Sequence, residues 1–195
     1  MNKKKITPDT SICWSQEDLE QLEAALSQIP THHIDDNPFL NEITRDGVLT
    51  QNTKQYPTTA GIYLAQSQKI ILYNACFGPA VSIAKTRCDR TGLVLSILVG
   101  HSLLRNFELG QAWAEQYYPV YNTGRGSAAH IKLVDLSALD EDAVNREGTI
   151  FINPKTVSLD RHFALCYAFF IHAPRLLAMT DTWAYECIKR ITGSV

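Results

Sequence analysis

The sequence lacks an excess of charge of either sign. Its 195 residues include 18 lysines and arginines and 20 aspartates and glutamates, so the formal net charge is −2. A protein that binds nucleic acid irrespective of sequence carries a basic excess. We therefore expect no nucleic-acid partner.

The sequence also lacks a long apolar run. The longest run, Leu93–Val99, is interrupted by Ser96 and is far shorter than the roughly 20 residues that a membrane-spanning helix needs. Lys3, Lys4 and Lys5 begin the chain like a signal peptide, but no apolar stretch follows them. We expect no membrane insertion and no signal peptide, and a protein that is cytoplasmic or is delivered by a non-classical secretion route.

Cysteine is sparse, and its spacing fits neither a disulfide framework nor a zinc ribbon. The five cysteines are odd in number and none forms a Cys-x-x-Cys motif, so we expect free thiols. With 45% hydrophobic residues, a chain of this length buries enough apolar surface to fold without a disulfide or a metal. The prediction is a single domain over residues 15–195, preceded by a flexible N-terminal arm at residues 1–14.

Periodicity and turn residues predict an α+β fold. Ser15 can cap a helix with leucines at helical spacing, and two short apolar runs joined by a polar turn predict a hairpin. Leu93–Val99 is apolar all round, which predicts a buried central helix. Residues 31–60 are predicted to be loops with a short helical turn, and the aromatic-rich residues 110–126 a loop, whereas residues 76–90 are ambiguous. The predicted helices are 16–28, 91–106, 159–172 and 182–191, and the predicted strands are 61–65, 69–73, 131–134 and 149–152.

The end of the central segment permits two chemical interpretations. Gly100-His101-Ser102 matches the start of the Gly-x-Ser-x-Gly nucleophile elbow, in which Ser102 would attack an acyl carbon from a strand-to-helix turn. However, Leu104 stands where that motif needs a small residue. In the second interpretation, His101 is the first histidine of the His-Glu-x-x-His helix of zinc peptidases.

Other segments favour the second interpretation, because they resemble zincins of the anthrax lethal factor-like kind. The first segments resemble the hairpin that precedes the metal-binding helix in that family. The later segments resemble the helix that carries the third zinc ligand and the residues that follow that helix. The order and spacing agree over residues 20–191, and the resemblance implies a zincin-like metallopeptidase scaffold with a small mixed or antiparallel sheet packed on the central helix. The segments are Ala60-Gly61-Ile62-Tyr63, Lys69–Tyr73, Phe163-Ala164, Tyr167-Ala168, Ala173–Leu176 and Tyr185–Ile188.

The resemblance places unusual residues where the family keeps its zinc chemistry. His101 matches the first ligand, but Ser102 replaces the general-base glutamate and Arg105 replaces the second histidine. Arg161 replaces the third ligand, a glutamate, and Leu165 replaces a second glutamate of that helix. Arginine stays protonated and offers no lone pair to a metal, and a serine has no carboxylate to accept a proton from water. We therefore expect that zinc is lost, that no other cofactor is bound and that no catalytic site is intact.

The expected function is that of a pseudo-peptidase, a catalytically inactive metallopeptidase-like protein that binds a protein or peptide partner in a retained substrate groove. Strand addition uses backbone hydrogen bonds and survives the loss of catalysis. The candidate groove strand contains Gly61, Ile62 and Tyr63. Such a protein could act as an effector, an adaptor or an inhibitor.

Two questions stay open at the level of sequence. Arg105 and Arg161 are either neutralised within the domain, by Glu108, Asp160 or Asp181, or they form a basic pocket for a carboxylate or phosphate. The alternative function is that of a hydrolase, either a serine hydrolase that uses Ser102 or a metallopeptidase with a rearranged zinc site.

Overall fold

The computed structural model describes residues 14–46, 60–83, 86–123 and 159–192. Within these ranges the chain forms six α-helices and five strands, which confirms the predicted α+β class. None of these helices is long and apolar enough to cross a membrane. The helices are α1 (Gln16–Gln28), α2 (Arg90–Leu103), α3 (Phe107–Thr123), α4 (Leu159–His172), α5 (Pro174–Thr180) and α6 (Thr182–Ile191). The strands are β1 (Glu42–Arg45), β2 (Gly61–Leu64), β3 (Lys69–Leu72), β4 (Val81–Ile83) and β5 (Thr86–Cys88), and 3₁₀ turns lie at Thr31–His33 and Asn74–Cys76.

The first three strands form a small mixed sheet in the order β1-β3-β2. β1 runs parallel to β3, whereas β2 runs antiparallel to it and pairs Gly61 with Leu72. The predicted hairpin is thus confirmed, with each strand one residue shorter than expected. β4 and β5 pair antiparallel in a separate two-stranded hairpin, which occupies part of the ambiguous residues 76–90.

Helix α2 forms the centre of the core, as its apolar sequence predicts. Every residue from Thr91 to Gly100 is buried, because α1, β2 and α4 all pack against this helix. Asp89 caps its N-terminus by accepting a hydrogen bond of 2.6 Å from the Gly92 amide. A helix without a polar face is stable only when it is covered on all sides.

Helix α1 begins where the capping residues predict. The Ser15 side chain accepts a hydrogen bond from the Asp18 amide, and the Asp18 carboxylate accepts one from the Ser15 amide. This reciprocal capping box satisfies two amides that the helix itself leaves unpaired. Asp18 also forms an ion pair of 3.1 Å with Arg45 of β1, which ties the helix to the sheet.

The prediction of a loop at residues 110–126 is wrong up to Thr123, because α3 occupies Phe107–Thr123. Trp113 and Tyr117, four residues apart, are both buried on one side of this helix. Their rings pack at 4.7 Å between centroids. Aromatic residues and Gly110 lower helix propensity, but burial of this aromatic pair stabilises the helix in the folded protein.

The loop prediction for residues 31–60 is wrong at β1. The 3₁₀ turn Thr31–His33 agrees with the predicted helical turn, but Glu42–Arg45 is a strand. Four residues are too few to give a clear alternation of polar and apolar side chains. Pairing with β3 creates this strand, and that partner lies far along the chain.

Other helix boundaries differ less. α4 and α6 have the predicted bounds, whereas α2 ends at Leu103 instead of residue 106, and α5 was not predicted. The predicted strands 131–134 and 149–152 lie outside the described residues. Of the predicted N-terminal arm, the described residues include only Trp14, whose ring packs edge-on against Phe77. The described cysteines, Cys76, Cys88, Cys166 and Cys187, are buried free thiols.

Candidate functional site

The close packing of α2 on α4 sets the geometry of the candidate site. A Cβ atom on Gly100 would lie 2.9 Å from the Cα atom of Ala164, so only glycine allows this approach. Nearer the other end of α2, Gly92 lies against His172, and the Ser96 hydroxyl is 3.0 Å from the His172 ring. Residue numbers rise along one helix as they fall along the other, so the helices are antiparallel. The C-terminal end of α2 therefore meets the N-terminal end of α4.

This packing brings His101 and Arg161 together. His101 is partly buried near the end of α2, and burial lowers the pKa of its imidazole. Asp160 raises that pKa and Arg161 lowers it, so both charges lie within electrostatic range of the ring. The structure thus places the residues that match the first and third ligand positions of the zincin pattern in one cluster.

Arg105 lies at a different place from the one that a continuous helix would give it. α2 ends at Leu103, and the Arg105 amide donates a hydrogen bond to the Ser102 carbonyl in a tight turn. Helical spacing, in which residues four apart share a face, therefore does not carry from His101 to Arg105. The exposed Arg105 side chain instead acts on Tyr63 of β2. Burial raises the pKa of the Tyr63 hydroxyl, and the charge of Arg105 offsets part of this rise.

Ser102 is buried and fully engaged in hydrogen bonds. Its side chain has 0% exposure, and its hydroxyl donates to the Val99 carbonyl at 2.7 Å and accepts from the Asn37 amide at 2.8 Å. The residues before it form a helix, so the strand that a nucleophile elbow requires at Leu93–Val99 is absent.

The residues at the zinc positions do not fit a zinc ion. Arg105 and Arg161 have no lone pair for a metal and would repel a dication. In the described part of the chain, no three His, Cys, Asp or Glu side chains are placed to hold a metal ion. His162 faces away from the cluster, as its neighbouring position to Arg161 on the helix predicts, and its ring packs against Trp113 and Tyr117.

Asp181, one of the carboxylates considered for the arginines, has other partners. It caps α6 by accepting a hydrogen bond from the Ala184 amide, and it accepts another from the Tyr117 hydroxyl. Burial and this hydrogen bond raise the pKa of Tyr117. Asp160, in contrast, lies beside His101 and Arg161, so it is the carboxylate that can offset charge in the cluster.

Strand β2 lies at the edge of the described three-stranded sheet, next to α2. A Cβ atom on Gly61 would lie 2.8 Å from the side chain of Leu98, so the strand approaches the helix closely. The Tyr73 amide donates to the Ala60 carbonyl, which identifies Ala60 and Tyr73 as a hydrogen-bonded pair. In an antiparallel ladder, such pairs alternate with non-bonded pairs.

This alternation determines which backbone groups of β2 face away from β3. Ile62 and Leu64 exchange hydrogen bonds with β3, whereas the N–H and C=O groups of Gly61 and Tyr63 point to the other side. No strand pairs with that side within the described residues. The side chains of Ile62 and Leu64 are 39% and 37% exposed, which is high for large apolar residues in a sheet.

Two residues that precede β1 form hydrogen bonds to this site, and the sequence did not predict them. Asn37 bonds Ser102, and the Phe39 carbonyl accepts a hydrogen bond of 2.7 Å from the Tyr63 hydroxyl. Both residues lie between elements, where no periodic pattern marks them. Only the folded chain brings them to α2 and β2.

Comparisons with known proteins add no relative of this chain. No protein-family model matches it, and no curated protein and no solved structure is significantly similar to it.

Proposed function

We propose that this protein is a zincin-like pseudo-peptidase that binds an extended segment of a protein partner as an added strand on β2. The observation that carries the proposal is the backbone edge of β2, where Gly61 and Tyr63 present donors and acceptors away from β3 and no strand in the described part of the chain pairs with them. An extended peptide gains affinity from such groups and specificity from the side-chain surfaces beside them. No metal is needed for this kind of binding.

The arrangement of elements supports the zincin part of the proposal. A hairpin that begins with an edge strand precedes a buried helix, and an antiparallel helix brings Arg161 within electrostatic range of His101 at the far end of that helix. These are the relative positions that the resemblance implies for the substrate strand and for the first and third ligands. The arginine substitutions argue for binding without zinc-dependent hydrolysis.

The charges beside β2 indicate which peptides are favoured. The exposed Arg105 lies within electrostatic range of Tyr63 at the middle of the strand. A guanidinium group binds carboxylates with two parallel hydrogen bonds. We therefore propose that the bound segment carries an acidic side chain near its centre.

The test is amide hydrogen exchange with and without a peptide selected from a displayed library of random dodecapeptides. The outward amides of Gly61 and Tyr63 exchange quickly in the free protein and slow by about tenfold or more when a strand is added. The amides of Ile62 and Leu64 change little, because β3 already protects them. Two synthetic versions of this peptide are N-methylated at alternate amides, one at the odd and one at the even positions. Only one of them loses affinity, since only one set of the peptide's amides faces β2.

Arg105→Gln, with Arg87→Gln on β5 as the matched control, tests the charge preference. Weaker binding of acidic peptides by the first variant alone supports the proposal. Failure to select any peptide, or selection of peptides that leave the Gly61 and Tyr63 amides unprotected, contradicts it.

A further inference from the structure

A second concave site lies apart from β2 and the His101 cluster. It is a groove of about 690 Å³ between residues 32–39, the junction of α2 and α3 at residues 103–112, and residues 183–191 of α6. We call it the α6 groove. Its volume lies within the range of about 300–1,000 Å³ that is typical of ligand sites. None of Gly61–Leu64, His101, Arg105 or Arg161 lines it.

The inner surface of the α6 groove is apolar or already hydrogen-bonded. Leu103, Leu109 and Trp183 contribute apolar surface. The imidazole of His33 lies 2.7 Å from the Tyr167 hydroxyl and 3.3 Å from the Ile191 carbonyl. The side-chain amide of Asn37 donates to His33 and Ser102. These polar groups have partners within the protein, so they are not available to select a ligand.

Three charged side chains from three different elements line the same groove. Asp36 comes from the chain after the 3₁₀ turn, Glu108 from α3 and Arg190 from α6. All three are exposed, and none forms an ion pair with another described residue. The groove therefore offers two negative groups and one positive group around an apolar surface.

We propose that the α6 groove docks a segment of a partner protein that carries apolar side chains, a lysine or arginine, and a carboxylate. Charge complementarity favours this chemistry, because Asp36 and Glu108 attract the basic side chain and Arg190 attracts the carboxylate. The apolar side chains cover Leu103, Leu109 and Trp183. This site is independent of strand addition on β2.

The test uses a capped hexapeptide with lysine first, glutamate last, and alanine and leucine between them. Titration calorimetry measures its affinity together with that of two analogues, in which glutamine replaces the lysine or the glutamate. Glu108→Gln weakens binding of the parent peptide by about threefold and leaves the analogue without lysine unaffected. The matched control is Glu115→Gln, since Glu115 is an exposed acid of the same helix outside the groove.

A second pair of variants tests the positive group of the groove. Arg190→Gln weakens binding of the parent peptide by a similar factor and leaves the analogue without glutamate unaffected. Its control is Lys189→Gln, because Lys189 is the neighbouring base on α6 and does not line the groove. Equal binding of the parent peptide and both analogues by the unmodified protein overturns the proposal.

A steric variant tests the location. Ala112 is exposed and lines the groove, so Ala112→Trp fills the groove without disturbing the core. It reduces affinity more than tenfold, whereas Gln116→Trp, one turn further along α3, does not. Undetectable binding by the unmodified protein up to millimolar peptide, or equal binding by Ala112→Trp, overturns the proposal. New protection of the Gly61 and Tyr63 amides by this hexapeptide would place it on β2 and would also overturn it.

Discussion

The hydroxyl group of Tyr63 donates a hydrogen bond of 2.7 Å to the carbonyl oxygen of Phe39. This contact joins the middle of β2 to the chain that precedes β1, across 24 residues of sequence. Phe39 also lines the α6 groove. The edge strand and the wall of the second concave site are therefore held to each other by one hydrogen bond.

Tyr63→Phe removes this hydrogen bond and keeps the ring. We expect the free energy of unfolding to fall by about 1 kcal/mol, the usual net value of such a bond. Tyr73→Phe is the control, because the Tyr73 hydroxyl makes no hydrogen bond to another described residue, and we expect its effect to stay within about 0.5 kcal/mol. Urea unfolding measures both values. Equal effects of the two substitutions would contradict the role given to the Tyr63 contact.

Gly100→Ala tests the close packing of α2 on α4. The new methyl group would lie 2.9 Å from the Cα atom of Ala164, which is backbone and cannot turn aside. The helix gains about 1 kcal/mol from alanine, but overpacking costs up to about 3 kcal/mol, so we expect a net loss of about 1–2 kcal/mol. Gly110→Ala on α3 is the control, since its Cβ atom would meet only the Leu104 carbonyl, at 3.2 Å. A stabilised Gly100→Ala protein would contradict this packing.

Ser102 is predicted not to act as a nucleophile. Its hydroxyl is inaccessible and bonded to Val99 and Asn37, so a fluorophosphonate probe should not label the protein. Ser102→Ala should instead lower the free energy of unfolding by about 1–3 kcal/mol, because the Asn37 amide loses a buried acceptor. Stoichiometric labelling that Ser102→Ala abolishes would support the hydrolase alternative.

Stability should fall as the pH falls from about 6.5 to about 4. Burial lowers the pKa of His33 and of His162 from 6.5 to about 4. In this interval the unfolded chain binds protons that the folded protein excludes. The full free energy of unfolding is therefore present above pH 6.5, and each histidine lowers it by roughly 3 kcal/mol by pH 4. Urea unfolding at several pH values measures the slope.

His162→Phe tests this origin of the pH dependence. Phenylalanine retains a ring against Trp113 and Tyr117 but takes up no proton. The free energy of unfolding should then depend less steeply on pH, because only one of the two histidines still takes up a proton on unfolding. This change in slope is expected whatever the stability of the variant at neutral pH. An unaltered slope in His162→Phe would exclude this residue as a source.

Chelation should leave the protein unchanged. Arg105 and Arg161, which the zincin resemblance assigns to the second and third ligand positions, cannot coordinate zinc. Purified protein should therefore contain zinc far below one ion per chain. A metal that bound the folded state would raise the thermal midpoint by mass action, and we expect no such shift with added zinc or with EDTA. Stoichiometric zinc that His101→Ala removes would contradict the proposal and favour a rearranged metal site.

The elements with strong local signals were predictable from the sequence. Ser15 and Asp18 mark the start of α1, and unbroken apolar residues mark α2 as buried. β1 and α3 were not predictable, because pairing with β3 produces the first and burial of Trp113 and Tyr117 stabilises the second. Interactions between segments that lie far apart in the chain leave no periodic pattern in the sequence of either segment.

The candidate site shows the same division. The sequence identified His101, Ser102, Arg105 and Arg161 as residues of interest, and their chemistry alone argues against zinc. It could not show that α2 ends before Arg105, or that this arginine lies within electrostatic range of Tyr63.

The sequence by itself determined the α+β class, the buried central helix and the residue types, Ser102, Arg105 and Arg161, that stand where the zincin resemblance would place zinc chemistry. These properties depend on side-chain type and local spacing, which the sequence states directly. The tertiary structure decided that Ser102 is buried against Asn37, that His101 lies within electrostatic range of Arg161, and that no strand of the described residues pairs with the outward side of Gly61 and Tyr63. Each of these depends on where a helix ends or on which strands pair, and the packing of segments far apart in the chain sets both.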